Sequence, residues 1–325
     1  MRSVRYHTHG GPEVLVLEEV PPPAPPGPGH LLVRPEAIGA NFVDTQLRRG
    51  LPQAELYQRP FPRSLTGDVV GVVEAVGRDV APSLLGRRVA VAAEGAFADL
   101  VLADATWAVP VPEGVDDGTA STLPLAAPVA LGALRAGRLA PGETVLVHSA
   151  AGTIGHLAVQ LAKILGAGTV VATAGSAARL DLARAQGADV GVDYTEDDWP
   201  ERVRAAVPGG VDLVLDAVGG RVLHRSLDVL APHGRLVAYG AAGGDPGSVP
   251  VADLFALRSV IGFSLLAARA AGTAQALEDL AETADYARRG LLRSAVHTRL
   301  PLSAAAEAHR LLESRTPLGR VLITP

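Results

Sequence analysis

The sequence predicts an α/β protein in which a six-stranded doubly wound parallel sheet is joined to a second, β-rich domain. Three observations carry this. Residues 144–166 (TVLVHSAAGTIGHLAVQLAKILG) pass from an alternating apolar run, through a turn of Ser, Ala and Gly, into apolar residues at helical spacing, with Leu157, Leu161 and Leu165 at i, i+4 and i+8. From about Leu123 onward, strand-like and helix-like segments alternate, as crossovers between parallel strands require. Up to about residue 122, short strand-like runs are instead separated by Gly and Pro, the texture of a partly barrel-like β domain.

Length and composition agree. A chain of 325 residues exceeds the length at which single cores stop growing, so two domains are expected. With 48% apolar and 19% charged residues the chain is compact rather than disordered, and no long uninterrupted apolar run predicts a membrane span. A net charge of −5 argues against nucleic acid or an anionic membrane as partner. The absence of cysteine removes disulfides, thiolate nucleophiles and cysteine-bound zinc together. The opening MRSVRYHTHGG lacks the apolar core of a signal peptide, so a cytoplasmic protein is expected.

In chain order, strands are predicted over 14–20, 30–38, 69–76, 87–92 and 97–101, with the proline-rich 21–29 as a stiff surface connection. A helix over 123–135 leads to Pro141-Gly142 and the strand that begins at Thr144. Strands over 169–173, 190–194, 211–216, 235–239 and 259–264 then alternate with helices over 177–188, 197–207 and 221–230. A helix around 273–289 leads to a tail, Gly319-Arg320-Val321-Leu322-Ile323, expected to rejoin the N-terminal domain. Residues 123–264 are therefore assigned to the dinucleotide-binding domain, and residues 1–122 with 265–325 to a discontinuous second domain.

The turn Ala150-Ala151-Gly152-Thr153-Ile154-Gly155 is a G-x-G-x-x-G fingerprint with alanine at its first position. Gly152 would let backbone approach a pyrophosphate, Gly155 would let the helix lie close to the strand, and N–H groups at the helix start would face the anion. An NAD-specific site places a carboxylate at the end of the second strand. Here that strand ends Thr173-Ala174-Gly175-Ser176 without an acid, and Asp181 falls on the helix surface. Arg179, a cation near the positive end of a helix, would meet a 2′-phosphate there, with Ser176 adding a hydroxyl. NADPH is favoured over NADH.

The chain resembles the zinc-free medium-chain dehydrogenase/reductases, in particular the NADPH quinone oxidoreductase (zeta-crystallin-like) group. The carrying residues are Gly10-Gly11-Pro12-Glu13-Val14-Leu15, Glu36-Ala37-Ile38-Gly39-Ala40-Asn41-Phe42-Val43-Asp44, Val72-Val73-Glu74-Ala75-Val76-Gly77, the 150–155 turn, Gly187-Ala188-Asp189 and Leu312-Glu313-Ser314-Arg315. The resemblance implies a GroES-like catalytic domain beside a Rossmann domain. It places Asn41 where zinc-dependent relatives carry a catalytic cysteine and Gly67 near their ligand histidine, with Asn41 bordering nicotinamide and substrate. It also implies that Arg179 and Tyr194 surround the adenosine 2′-phosphate, and that Val218, Tyr239, Gly240, Phe263, Ser264 and Arg315 line the cofactor. Asp44 reads as a helix cap. Pro52 stands where the family often has tyrosine, the loop to Gly67 is longer and contains Tyr57, and a common threonine is replaced near Pro128-Val129.

The activity so implied is hydride transfer from NADPH to a quinone or conjugated carbonyl, with Asn41 and backbone N–H groups stabilising the developing oxyanion. Water is the expected proton source, with Tyr57 the side-chain alternative. Reduction of an enone or enoyl thioester is the second reading; Arg48, Arg49, Arg59 and Arg63 around the variable loop are the basic residues that would favour it. A non-catalytic NADPH-binding sensor is the third. A homodimer paired through the sheet edge at 259–264 is expected from the family.

Overall fold

The computed structural model describes residues 1–51 and 60–325. The chain divides into two units: residues 1–125, 284–288 and 293–325 form the first, residues 126–283 and 289–292 the second. The first unit opens with β1 (Arg2–Tyr6), β2 (Val16–Glu19), β3 (His30–Gly39), α1 (Phe42–Arg49), β4 (Arg63–Ser64) and β5 (Thr66–Val76). It continues with β6 (Arg88–Glu94), β7 (Val101–Asp104), β8 (Val109–Pro110) and the single turn α2 (Asp117–Ala120). Long antiparallel pairing of β3 with β5 and of β5 with β6 builds its main sheet. Alternate residues of these strands, including Leu31, Val33, Val69, Val73, Val89 and Val91, point into one core and are fully buried. A groove of about 380 Å³ on this unit, lined by Arg5, Pro21, Pro23, Ser64 and Leu102 among others, contains none of the candidate site residues.

The second unit runs α3 (Ala126–Ala136), β9 (Thr144–Val147), α4 (Thr153–Ile164), β10 (Thr169–Ala174), α5 (Ala177–Ala185) and β11 (Val190–Asp193). It continues α6 (Trp199–Ala206), β12 (Val211–Asp216), α7 (Gly220–Ser226), β13 (Leu230–Ala238), β14 (Ser259–Gly262), α8 (Leu265–Ala271) and α9 (Thr273–Arg288). Among the described residues its strands form one parallel six-stranded sheet in the order β11-β10-β9-β12-β13-β14, so the order reverses between β9 and β12. Such strands are covered on both faces, and Val145, Leu146, Val147, Val170, Val171, Leu213, Val214 and Leu215 are all completely buried. Lys163, the sole lysine, pairs with Asp189 at 2.5 Å, and the same carboxylate accepts from the Val170 N–H at 2.7 Å, tying α4 to the start of β10.

The chain then returns to the first unit through β15 (Val296–Pro301), α10 (Ala305–Ser314) and β16 (Arg320–Thr324). β16 pairs antiparallel with the end of β3, Leu322 opposite Gly39 and Ile323 opposite Ile38.

Several expectations are corrected. β1 was not anticipated. The run 97–101 is not a strand: Phe97 is buried and accepts from the Val4 N–H at 2.8 Å, Ala98 bridges Ser3, and extended pairing begins only at Val101. The helix expected over 221–230 stops at Ser226, because Leu230 already pairs with Val211 and starts β13 ahead of an irregularity before Arg235. The return to the first unit falls later than residue 265. α8 and most of α9 belong to the second unit, where Arg135 of α3 grips Asp279, and Glu282 at 2.5 Å. Periodicity showed that α9 is a helix, but only its partner decides to which unit it belongs.

Candidate functional site

In the second unit the strands end together on one side. Ala174 is in register with Asp193, Asp216 with Ala238, and Ala238 with Gly262. The segments that follow these ends therefore gather along one edge of the sheet, on either side of the β9/β12 reversal, where sheets of this order take ligands. They bring together the 150–155 turn, Gly175, Ser176 and Arg179, Tyr194, Val218, Tyr239 and Gly240, and Phe263 and Ser264.

The turn after β9 is tightened by Ser149 in a left-handed conformation, φ 51°, whose carbonyl accepts from the Gly152 N–H at 2.9 Å. Its two glycines do different work. A Cβ on Gly155 would lie 2.2 Å from the Ser149 carbonyl oxygen, so only glycine lets α4 sit this close to the turn. A Cβ on Gly152 would meet only that same oxygen, at 3.2 Å, which leaves its other sides open to an approaching group. Gly152 precedes α4 without a side-chain cap, so no side chain from that position stands over the positive end of the helix. Ala151 is buried, and Thr153 and Ile154 are half-buried in the first turn.

At the end of β10 the aromatic ring of Tyr194 stands 3.9 Å from where a Gly175 Cβ would be. Ser176 occupies the cap position of α5 without a side-chain cap bond, and Arg179 follows in the first turn, half-buried. Among the described residues Arg179 has no ion pair or side-chain hydrogen bond, whereas Asp181 is spent on a surface pair with Arg184 at 2.9 Å. A cation held at a helix N-terminus without a counter-charge is poised for an anion.

At the end of β12 the buried Asp216 accepts from the N–H groups of Val218, 2.9 Å, and Gly219, 3.0 Å, which fixes the loop at the switch point. Burial raises its pKa, and the two N–H groups oppose that rise. The Tyr239 phenol is also pushed up, by burial and then by the charge of Asp216, so it remains a neutral group. Gly240 lies against Ala217, the Phe263 ring packs on α3 at Gly132, and Ser264 caps α8 by accepting from the Ala267 N–H at 3.4 Å. Under the edge, His148 is fully buried between the hydroxyls of Thr173 and Ser226, each at 2.7 Å, with its ring edge-on to Trp199. Burial lowers its pKa to about 3, so it is neutral and structural.

The first unit carries Asn41, at the cap position of α1 in an extended conformation but without a side-chain cap bond. Its Oδ1 instead accepts from Nη1 of Arg320 at 2.8 Å. Arg320 is 1% exposed and is paired through Nη2 with Asp68, itself fully buried. The guanidinium also donates to the carbonyls of Ser121 at 3.1 Å and Ala40 at 3.4 Å, and to Oγ of Ser121 at 3.3 Å. Neither Arg320 nor Asp68 was picked out from the sequence. The available signal was a charge at the head of each of two apolar runs, Arg320 before Val321-Leu322-Ile323 and Asp68 before Val69-Val70.

Asp44 is not a helix cap. It sits inside the first turn of α1, buried, and accepts from the N–H and Oγ1 of Thr66 at 2.8 and 2.9 Å, so it ties α1 to β5. Burial pushes its carboxyl up to about 7. The basic rim also shrinks: Arg48 is fully buried and paired with Glu313, and Arg63 lies over the Phe61 ring at 4.4 Å, leaving Arg49 exposed. Tyr57 and Arg59 lie outside the described residues. Arg315 belongs to the first unit, where it ends α10 in a left-handed conformation, φ 56°.

Comparison with known proteins agrees with this division. Residues 27–113 match the family described as the alcohol dehydrogenase GroES-like domain, and residues 153–282 match the zinc-binding dehydrogenase family. A 2-haloacrylate reductase from a Burkholderia species is 34% identical over 331 residues, covering 98% of this chain and 97% of that protein. A quinone oxidoreductase from Pseudomonas aeruginosa is 34% identical over 330 residues, covering 100% and 99%. The structure of Escherichia coli quinone oxidoreductase complexed with NADPH superposes with a TM-score of 0.91 at 32% identity, covering 100% of both chains.

The residues present do not fit the zinc that one of these family descriptions implies. The chain has no cysteine, and asparagine and glycine stand at positions 41 and 67. The amide oxygen of Asn41 and the carboxylate of Asp68 are both engaged by the cationic Arg320. Among the described residues no group of three His, Cys, Asp or Glu side chains could hold a metal ion. The second unit does fit a phosphorylated dinucleotide, on the open side of Gly152 and the charge of Arg179, which has no ion pair among the described residues. No helix among the described residues is long and apolar enough to cross a membrane.

Proposed function

The chain belongs to the medium-chain dehydrogenase/reductase family, among the quinone oxidoreductases, and from that premise we propose an NADPH-dependent enzyme that reduces a quinone or a conjugated carbonyl compound without zinc. The observation that carries the reading is the acid-free end of β10, where Arg179, beside the Gly152–Gly155 turn, has no ion pair among the described residues. When bound, NADPH supplies a hydride to an acceptor that is already electrophilic. The first turn of α4 receives the pyrophosphate, and Arg179, Ser176 and Tyr194 receive the ribose phosphate. Asp216 holds the Val218–Gly219 loop in shape, and Tyr239, Gly240, Phe263 and Ser264 complete the second unit's part of the cofactor lining. Asn41 donates from Nδ2 to the acceptor oxygen as negative charge builds there. The final proton comes from solvent, with Tyr57 the side-chain alternative.

The test follows NADPH oxidation against a panel of quinones, enones, 2-haloacrylate and enoyl thioesters. Turnover of quinones or free enones is expected. Binding of NADPH without turnover of any member would replace this reading with that of a sensor. The enoyl-thioester reading loses support from the burial of Arg48, since a carrier phosphate needs exposed cations.

The chain is further proposed to act as a homodimer in the cytoplasm. β14 is an open edge of the parallel sheet, and beside it Val251, Phe255 and Leu257 are 69%, 78% and 58% exposed. Phe255→Asp is expected to convert a dimer to a monomer in light scattering; a wild-type monomer would refute the assembly.

A further inference from the structure

We propose that Arg320 is a positioning residue that fixes the polarity of Asn41, so that this amide can only donate to a bound acceptor. Arginine has five N–H donors and no acceptor, so its contact with Asn41 at 2.8 Å must be to the amide oxygen. The amide cannot flip without setting NH₂ against a guanidinium. Oδ1 is therefore held inward on α1, and the two hydrogens of Nδ2 are the polar part of the half-buried side chain left for a ligand.

The place for Arg320 is built by several elements. The last residue of β3 is Gly39, and a Cβ there would lie 1.8 Å from Nη2 and 2.3 Å from Cζ of Arg320. Asp68 of β5 supplies the counter-charge, and the carbonyls of Ala40 and Ser121 occupy further donors. Each grip turns the guanidinium so that Nη1 faces Asn41. A cation on the amide oxygen also polarises the amide and makes its N–H groups stronger donors. The fixed donor offers a hydrogen bond to ligands that present lone pairs, such as a quinone or enone oxygen, and none to a group that can only donate.

The inference rests on the reductase reading above, and its test separates the two. Arg320→Met with Asp68→Leu removes the charge pair as a unit and leaves no buried unpaired charge. Gly39→Ala is the second probe, because it displaces the guanidinium while keeping both charges. Either change is made in the wild type and in Asn41→Ala, with thermal unfolding and NADPH affinity as controls on the fold. In the wild-type background kcat is expected to fall about tenfold or more, and in the Asn41→Ala background to fall no further, because a donor already removed cannot be misplaced. Equal losses in both backgrounds would overturn the proposal and make Arg320 merely structural. So would an unchanged kcat in the wild-type background. The side-chain amide resonance of Asn41, assigned with Asn41→Asp, reports independently of turnover. It is expected to move when Arg320 and Asp68 are exchanged, and an unmoved resonance would refute the locking. A wild type that turns over no acceptor would overturn the reductase reading instead, while the resonance still reports on the locked amide.

Discussion

Replacing Arg179 with alanine separates cofactor recognition from stability, because the two are expected to move in opposite directions. Arg179 has no ion pair among the described residues, so its removal leaves no carboxylate unpaired. It sits in the first turn of α5, where a cation opposes the helix dipole by about 0.3–1 kcal/mol. The free protein should therefore melt at the same temperature or slightly higher. Against NADPH the guanidinium offers a charge-assisted contact worth about 1.5–3 kcal/mol, which corresponds to a roughly ten- to hundredfold weaker Kd on its loss. NADH, which lacks the 2′-phosphate, should bind Arg179→Ala about as it binds the wild type, so the preference for NADPH should collapse by the same factor. Fluorescence titration with both nucleotides and a melting curve of the free protein make the three measurements. An unchanged Kd for NADPH with NADH still disfavoured would refute the assignment. A free protein destabilised by several degrees would show that Arg179 has a structural role.

Further outcomes follow from other contacts. Gly155→Ala puts a methyl 2.2 Å from the Ser149 carbonyl and should destabilise the second unit by about 1–3 kcal/mol or more, measured by denaturant unfolding. Gly152→Ala, with its nearest contact at 3.2 Å, should cost less stability than Gly155→Ala and weaken NADPH binding; the reverse ranking would refute the roles given to the two glycines. Asp44, raised to about 7 from an ordinary 3.8, holds a proton in the folded state that the unfolded chain releases, so its contribution makes stability fall as pH rises from about 4 to 7. Asp44→Asn should flatten that slope and stabilise the protein at pH 8 by a few kcal/mol, and a slope unaltered in urea melts would count against it. His148, lowered to about 3 from 6.5, acts in the opposite sense: its contribution is complete above about 6.5 and is lost as pH falls toward 3. Arg320→Met alone should cost about 3–5 kcal/mol by removing the cation paired with the buried Asp68, far more than its exchange together with Asp68→Leu.

Much of the second unit was legible in the amino-acid order. Strands such as Val211–Asp216 and helices such as Thr153–Ile164 are long enough, and apolar in a regular enough period, that local pattern and tertiary structure agree. The missing acid after β10 and the presence of Arg179 are likewise facts of sequence, because a βαβ unit places its second strand end at a nearly fixed distance along the chain. The same locality explains the errors. The run 97–101 alternates like a strand, yet its hydrogen bonds go to Val4 and Arg2, and Asp44 has cap chemistry but finds Thr66. Arg48 looked like surface charge until Glu313 on α10 came to meet it.

What the sequence by itself determined is the class of fold, the dinucleotide turn and the loss of every cysteine ligand, since each depends on residues close in the chain or on composition alone. Only the tertiary structure decided what Asn41 is bonded to. Its partner Arg320 lies 279 residues away, and Arg320 is held by Asp68, a further 252 residues back along the chain from it. No periodicity links such positions, because burial of a charge is specified by the elements that fold around it. A guanidinium enclosed by β3, β5 and the carbonyls of Ala40 and Ser121 turns an ambiguous amide into a donor of fixed direction.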